Sequence, residues 1–496
     1  MNSTKEKLKN YFLIFLIGLS ILQIAIYYNY QSKNKLGVFL EMIYESDKYN
    51  FKEDEFFRPD RIVVCRKFNE NHKMIKKTSQ EYYILWRDAK KYLKDVLDTE
   101  IYEEVVPFTY ELWNNIIIRK SVMLEFDQDV HSNLISTFLG NSFSKDMELT
   151  KVKKVVMQPF ENKDNIMTLY LTDGDRIFKV YSYITKDRLQ KETYDKLLET
   201  IEQDNSYKNY SLIKEIYPDK DMAPFNINQD ILLATDDESV ENYNAYFCML
   251  PILLDDITFN NNSDLEDLSK EVLGKEEDYY DIGMDLYGTI VFRNVKDIFR
   301  IYKDGLLEYK YLEKVQEDKN ENIVEAFKKV TEFIANLKGL TEGADITLVK
   351  TEKNGKKGEG YKFTFDYKLD NIPVIINNYK SKVVPDVTLK NAIEIISTNN
   401  QVVSCFWLLR DFDTAKEDIE YKIGFEGLLD NLIEKYDVDK RILQIYNIYN
   451  AYVMNFSDEE ILVPYFIVKS NCRIDLLDYY AVPLMGEDEE IELVTG

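Results

Sequence analysis

YKFTFDYKL, residues 361–369, alternates aromatic side chains with polar or charged ones at a strict spacing of two. Successive side chains of a β-strand point to opposite faces of its sheet, so this spacing is typical of a strand with one buried face. We expect the buried face to carry the four aromatic residues Tyr361, Phe363, Phe365 and Tyr367. The segment therefore predicts an antiparallel sheet in the C-terminal part of the chain.

Outward from this strand, helix-like and strand-like segments alternate along the chain. Residues 323–340 and 79–101 place apolar side chains at three- and four-residue spacing, which predicts two helices, the second capped by Ser79. Residues 165–184 predict a β-hairpin that turns at an Asp-Gly pair. A further helix is expected at 386–399, DVTLKNAIEIISTN. This mixture indicates an α+β fold of antiparallel sheets, each with helices on one face.

The chain has 496 residues, which is too long for one core at about 100–200 residues per domain. We expect three small α+β domains: a membrane-proximal one at 31–204, a central one at 205–312 and a C-terminal one with an acidic tail at 313–496. The charged segment EKVQEDKNEN marks the start of the last domain. The last two domains share helix-then-strand units and are candidates for structural duplicates.

An apolar run near the N-terminus, YFLIFLIGLSILQIAIYYNY at 11–30, contains no charged residue. A helix of about 20 such residues can cross a hydrocarbon core of about 30 Å. Because Lys5, Lys7 and Lys9 precede the run, we expect residues 1–10 in the cytoplasm, one transmembrane anchor at 11–30 and the bulk of the chain outside the cell membrane. A cleaved signal peptide is the competing interpretation. The run is long for that role, and it ends in bulky tyrosines instead of a small-residue cleavage site.

Within this run, one helix face is a candidate contact surface for a partner helix. Gly18, Leu22 and Ala25 share that face, and the small side chains of Gly18 and Ala25 would let a second helix approach closely. Gln23 adds an amide at membrane depth, where a hydrogen bond to a partner helix is favourable. The alternative is a plain tether, in which these residues have no partner.

The formal net charge of −25 restricts the partners of the protein. An acidic body repels phosphate backbones and anionic lipid headgroups, so we expect no nucleic-acid partner. The four cysteines are too widely spaced for a disulfide framework. Pairing of Cys405 with Cys472 is left open, since spacing along the chain does not show proximity.

The residue patterns predict no catalytic residue, no cofactor site and no metal site. Neither histidine accompanies a nucleophile motif, and we expect His72 at a solvated hairpin tip and His131 at the start of a helix. Acidic clusters are the remaining candidates for glycoside hydrolysis or calcium binding, but the high acid content of the chain favours a solvated surface. These clusters lie at 236–238, 255–256, 276–278 and 487–490.

Several short segments together resemble the YycH family, extracytoplasmic regulators of the WalK (YycG) sensor histidine kinase. The matching segments are the N-terminal anchor, FFRPDRIVV (56–64), YYILWRDAKKYL (82–93), GTIVFRN (288–294), DGLLEYKYLE (304–313), ILVPYFIVKS (461–470) and DLLDYYAVP (475–483). The last two predicted domains are in addition similar to the related YycI family.

The resemblance implies a non-enzymatic, membrane-anchored regulator of two-component signalling that controls cell-wall metabolism. It implies no cofactor, and two partners that bind through the membrane helix: a WalK-like kinase and a YycI-like protein. A cell-surface module that binds a wall fragment or a peptide is the main alternative. An extracytoplasmic glycosidase is the third.

Overall fold

Antiparallel strands dominate the part of the chain that the structure describes. The computed structural model describes most of residues 57–483. The longer stretches outside the description are 1–56, 217–225, 255–267, 429–443 and 484–496.

The strands of the described residues form four sheets. Their bounds are β1 Arg61–Cys65, β2 His72–Ile75, β3 Glu104–Pro107, β4 Ser121–Glu125, β5 Lys154–Pro159, β6 Ile166–Thr172, β7 Arg176–Tyr183, β8 Asn209–Leu212, β9 Asn226–Ile227, β10 Leu232–Ala234, β11 Glu241–Met249, β12 Asp281–Met284, β13 Ile290–Arg293, β14 Asp297–Ile301, β15 Leu306–Tyr311, β16 Asp345–Lys353, β17 Tyr361–Leu369, β18 Ile372–Ile376, β19 Tyr379–Lys380, β20 Thr388–Leu389, β21 Ile393–Ser397, β22 Val402–Leu408, β23 Asp411–Tyr421, β24 Gln444–Met454, β25 Glu460–Leu462, β26 Pro464–Ile474 and β27 Leu477–Pro483.

The helices lie between these strands. Their bounds are α1 Gln80–Thr99, α2 Tyr110–Ile117, α3 Ser132–Phe138, α4 Lys191–Gln203, α5 Ile213–Ile216 and α6 Ile323–Leu337, which runs into a 3-10 turn at Lys338–Leu340. The helix predicted at 79–101 is confirmed as α1. Its cap is Ser79, whose hydroxyl accepts a hydrogen bond from the Tyr82 backbone at 3.2 Å and so satisfies one of the free N–H groups of the first turn.

The first sheet has nine antiparallel strands in the order β10-β8-β2-β1-β4-β5-β6-β7-β3. Adjacent residues of β7 face opposite sides of it. Ile177 packs in one cluster with Trp113 of α2. Ser182, on the other face, binds Arg188, whose guanidinium lies 4.1 Å from the ring centre of Tyr92 in α1. Helices therefore cover both faces of this sheet.

The second large sheet draws its strands from both sides of residue 313. Its path is β12-β13-β14-β15-β22-β21-β17-β18-β24-β26-β27, with β16 beside β17 and β9 beside β24. Within this path, β15 and β22 are antiparallel neighbours, and their register begins with Leu306 opposite Leu408. Two smaller sheets hold β23-β11-β25 and β19-β20.

Helix α6 covers the aromatic face of β17. The ring of Phe327 in α6 lies 5.5 Å from that of Phe363, centre to centre. Phe363, Phe365 and Tyr367 are buried, and Tyr361 is half-buried. This confirms the aromatic face predicted for the strand.

A largely buried carboxylate joins the two large sheets. Asp60, just before β1, lies 3.1 Å from Lys368 Nζ in β17 and 3.5 Å from Lys77 Nζ after β2. Its second oxygen accepts a hydrogen bond from the Asp127 backbone at 2.8 Å. Burial acts to raise the pKa of Asp60, but the charges of Lys368 and Lys77 outweigh it and hold that pKa well below its usual value.

Backbone and ring contacts support the same junction. The Asp129 backbone donates to the Val349 carbonyl at 2.7 Å, and Thr351 donates back to Asp129 at 3.1 Å. Nearby, the ring of Phe138 in α3 lies 5.3 Å from that of Phe327. Residues before 140 and after 320 therefore share one packed interior.

This architecture corrects the predicted fold class. One sheet contains strands of both the predicted central and the predicted C-terminal domain, and the first sheet includes β8 and β10, which follow residue 204. Three separate domains with helices on one face are therefore wrong. The reason is pairing between strands that are distant in sequence, which spacing along the chain does not show.

The predicted membrane anchor is corrected as well. Within the described residues no helix is both long and apolar enough to cross a membrane, so the single-pass membrane location, with its cytoplasmic N-terminus and extracytoplasmic bulk, is not supported. The longest described helix, α1, has 20 residues but carries many charged side chains. The run at 11–30 lies outside the described residues.

The helix predicted at 386–399 is also wrong. This segment forms β20 and β21 instead. Ile393 and Ile395 are buried at a spacing of two, and β-branched side chains at this spacing favour a strand.

Replacement of Phe363 by alanine should lower the free energy of unfolding by about 3–5 kcal/mol, because it leaves a cavity beneath α6. Urea denaturation followed by circular dichroism measures the change. Tyr183→Ala is the control: its side chain is 68% exposed, and the change should stay below about 0.5 kcal/mol. Equal losses in the two variants would contradict the packing described for β17.

Asp60→Asn should lower the free energy of unfolding at neutral pH by on the order of 3 kcal/mol, because two largely buried lysines lose their counter-charge. The pKa of Asp60 in the folded state lies below its unfolded value of 3.8, so the carboxylate stabilises the fold fully above that pH and loses its effect as the pH falls further. Urea denaturation at pH 7 and in acid should therefore show a difference between wild type and variant that shrinks in acid. A constant difference would refute the ion-pair explanation.

Candidate functional site

A pocket of about 190 Å³ opens on the face of the first sheet that α2 covers. Its walls come from α2 and from β3, β5, β6 and β7. Val106, Ile116 and Ile177 form an apolar floor, and the last two are buried. Because α2 ends at Ile117, the sheet beyond its last turn is left partly uncovered.

Strand register brings the polar side chains of the pocket together. Lys179 of β7 pairs with Tyr170 of β6 on one side and with Glu104 of β3 on the other. Residues in register across neighbouring strands have their side chains on the same face. All three therefore face the pocket in one row.

The C-terminal turn of α2 is held to the sheet by two buried side chains. Gln158 donates its amide to the Ile116 carbonyl, and His72 Nε2 lies 3.2 Å from the Ile117 carbonyl. Burial lowers the pKa of His72, so the neutral ring donates to that carbonyl. These contacts fix the end of the helix, and Arg119 follows directly after it. The negative end of the helix dipole favours a cation at this position.

Arg119 is the distinctive side chain of the rim. It is exposed and makes no ion pair with any described residue. Lys179, in contrast, has two interaction partners: its Nζ lies 3.8 Å from a Glu104 oxygen and 5.3 Å from the ring centre of Tyr181. The rim therefore holds two cations against one carboxylate in a protein with a net charge of −25.

Tyr170 supplies a neutral donor above the apolar floor. Burial raises the pKa of its hydroxyl, although Lys179 and Arg119 partly oppose this effect. Within the described residues the hydroxyl makes no hydrogen bond. Guanidinium, ammonium and phenol groups all donate to carboxylate oxygens, so the rim is suited to a carboxylate.

The pocket is lined by apolar side chains and by the hydrogen-bonding groups of Glu, Asn, Arg, Gln, Tyr and Lys residues. Its lining includes no serine, cysteine or histidine that could act as a nucleophile beside a base. Among the described residues, no group of three or more His, Cys, Asp or Glu side chains could hold a metal ion.

None of the residues singled out by sequence is among the described lining of this pocket. Gly18, Leu22, Gln23 and Ala25 lie outside the described residues, as do the four acidic clusters. Cys405 is a buried free thiol, and the side chain of Cys472 is outside the description.

Each of the two histidines contacts the backbone at one end of a helix. His131 caps α3 through Nδ1, which accepts from the Asn133 backbone at 3.2 Å, as the sequence predicts. The solvated position predicted for His72 is wrong, because its side chain is buried beside α2.

The segment IIIRKSVMLEF, residues 116–126, predicts a strand from its β-branched and apolar content, so sequence reasoning gives Arg119 no special position. The signal that was available is the helix pattern just before it. Thr109 caps α2 by accepting from the Leu112 backbone at 3.2 Å, and Trp113, Ile116 and Ile117 then form a buried stripe.

Comparison with other proteins adds little about function. The chain matches no known protein family. An uncharacterized protein of Methanocaldococcus jannaschii is 23% identical over 38% of this chain, and the match spans 37% of the relative. An uncharacterized protein from Eubacterium rectale, known from a crystal structure, is 11% identical with a TM-score of 0.30, over 52% of this chain and 86% of that one. Neither similarity points to the YycH family, so that resemblance stays a prediction.

Gln158→Leu should lower the free energy of unfolding by about 1–2 kcal/mol, because the Ile116 carbonyl loses a buried donor. Arg119→Gln, a few residues from the same carbonyl, should change it by less than about 0.5 kcal/mol, since the guanidinium is exposed and has no ion pair. Urea denaturation of both variants measures the difference. A large loss in the Arg119 variant would show that this residue supports the fold.

Proposed function

We propose that this protein is a non-catalytic peptide-binding protein, and that the pocket beside α2 takes a segment with a carboxylate next to an apolar side chain. The observation that carries the proposal is the Arg119 guanidinium, which stands without an ion pair at the mouth of an apolar pocket. An exposed arginine is unremarkable alone, but one that borders a half-buried tyrosine and a buried apolar floor matches a ligand with both features.

Charge and size support this class of ligand. A pocket of about 190 Å³ is smaller than the sites of about 300–1,000 Å³ that enclose drug-sized molecules. It would accommodate one side chain and a neighbouring carboxylate. The net charge of −25 of the whole chain opposes anionic polymers, so a short-range contact with a single carboxylate is favoured over a charged track.

The regulatory role implied by the YycH resemblance stays a separate prediction. Control of a partner by peptide-segment recognition is compatible with it, but the uncharacterized relatives do not bear on it. The peptide alternative of the sequence analysis is retained here without its cell-surface placement.

A pair of matched peptides tests the proposal: N-acetyl-Ala-Ala-Leu as the free acid and as the C-terminal amide. Isothermal titration calorimetry should show binding of the acid, with the amide at least about tenfold weaker, because a charged hydrogen bond is worth about 1.5–3 kcal/mol. Arg119→Gln should weaken the acid by a similar factor. Arg87→Gln, which changes an exposed arginine of α1 outside the pocket, is the control and should bind as wild type does. Equal binding of acid and amide, or an equal loss in both variants, would overturn the proposal.

A further inference from the structure

The β12–β13 hairpin presents a stiff apolar turn. The Asp285 backbone donates to the Thr289 carbonyl at 2.9 Å, and Gly288 donates to the Asp285 carbonyl at 3.0 Å. The Asp285 carboxylate also accepts from the backbones of Tyr287 and Thr289, each at 2.8 Å. Gly288 has a φ of 78°, which suits the left-handed position that closes such a turn. The turn is therefore ordered before it meets any partner.

Two large apolar side chains project from this turn into solvent. Leu286 is 96% exposed and Tyr287 is 78% exposed. Single exposed apolar residues are ordinary, but two neighbours on a preorganised turn lose little conformational entropy when a partner covers them. Beside them, Asp285 is exposed and has no ion pair with a described residue. Hydrogen bonds from Thr289 and Tyr287 lower its pKa, so it is ionised at neutral pH.

The turn and the pocket have complementary chemistry. The turn offers a carboxylate next to a leucine and a tyrosine, and the pocket offers an unpaired guanidinium above an apolar floor. The two lie on different sheets of the chain, at the edge strand β12 of one and beside β3, the edge strand of the other. A head-to-tail contact between copies joins two different surfaces of the molecule. Opposite charges on these two surfaces favour such a contact.

We propose that the 285–288 turn of one copy docks in the pocket of a second copy, with Leu286 on the apolar floor and Asp285 facing Arg119. This inference rests on the proposed function and names its partner as a second copy of this chain. The interface is heterologous, because each copy contributes a different surface. In a pair of copies, one copy therefore still has a free turn and the other a free pocket. Further copies can bind there until a ring closes or a longer chain of copies forms.

The test uses the full chain and two variants that each remove one half of the contact. Leu286→Ser with Tyr287→Ser removes the apolar turn, and Arg119→Glu places a repelling charge in the pocket. All of these side chains are exposed, so the variants should unfold as wild type does. Val295→Ser is the control, since Val295 is 86% exposed at the next turn of the same sheet.

Sedimentation over a concentration series should show association for wild type and the Val295 variant, and monomers for each of the other two variants alone. A mixture of those two should form one-to-one pairs, because the first still has a pocket and the second still has a turn. A monomeric wild type, a mixture that stays monomeric, or loss of association in the Val295 variant would overturn the inference. If the leucine peptide nevertheless binds and Arg119→Gln weakens it, the proposed function stands and the second copy is excluded as its partner.

Discussion

The Asp60 carboxylate is the constraint on which the arrangement of the two large sheets depends. It binds a lysine from each of two elements and a backbone N–H from a third, so the entry to β1, the segment after β2 and the strand β17 meet at one point. Removing a charge from water is costly. The position of Asp60 is favourable because Lys77 and Lys368 supply the opposite charge there. A substitution at any of the three side chains therefore affects the whole junction.

A second network of ion pairs connects neighbouring strands of the first sheet. Glu125 of β4 binds Arg61 at 2.8 Å and Lys154 at 3.0 Å, and Lys154 also binds Asp230 at 2.8 Å. Burial opposes the charge of Glu125, but Arg61 and Lys154 lower its pKa to about 2. Each member is neutralised by another, so the network fixes strand neighbours without leaving an isolated charge.

The sequence predicts local elements well where periodicity and caps agree. α1 with Ser79, the hairpin turning at Asp173–Gly174, α6 and the aromatic face of β17 all follow from spacing and turn chemistry. Spacing and turn chemistry do not show which strands share a sheet. β15, for example, pairs with β22, which lies far along the chain. The segment 386–399 shows the local limit: its isoleucines fit a helix stripe as well as a strand, and pairing with β17 decides for the strand.

The pocket could not be predicted from composition or motifs. Its members come from a helix end and four strands, and none belongs to a spacing pattern that signals binding. What assembles them is register, since Tyr170, Lys179 and Glu104 are aligned by strand pairing alone. A one-residue slip of β7 would turn Lys179 to the opposite face and place Phe178 in the pocket.

The sequence order of the strands also determines when each sheet can close during synthesis. All strands of the first sheet have been made once residue 234 is reached, whereas β15 stays without its inner neighbour until β22 follows, many residues later. Chains grow at about 5–20 residues per second, and unpaired strand edges are prone to aggregation while they wait. The β12–β15 hairpins therefore keep an open edge in the nascent chain until β22 is made, and Asp60 lacks the counter-charge of Lys368 until β17 follows.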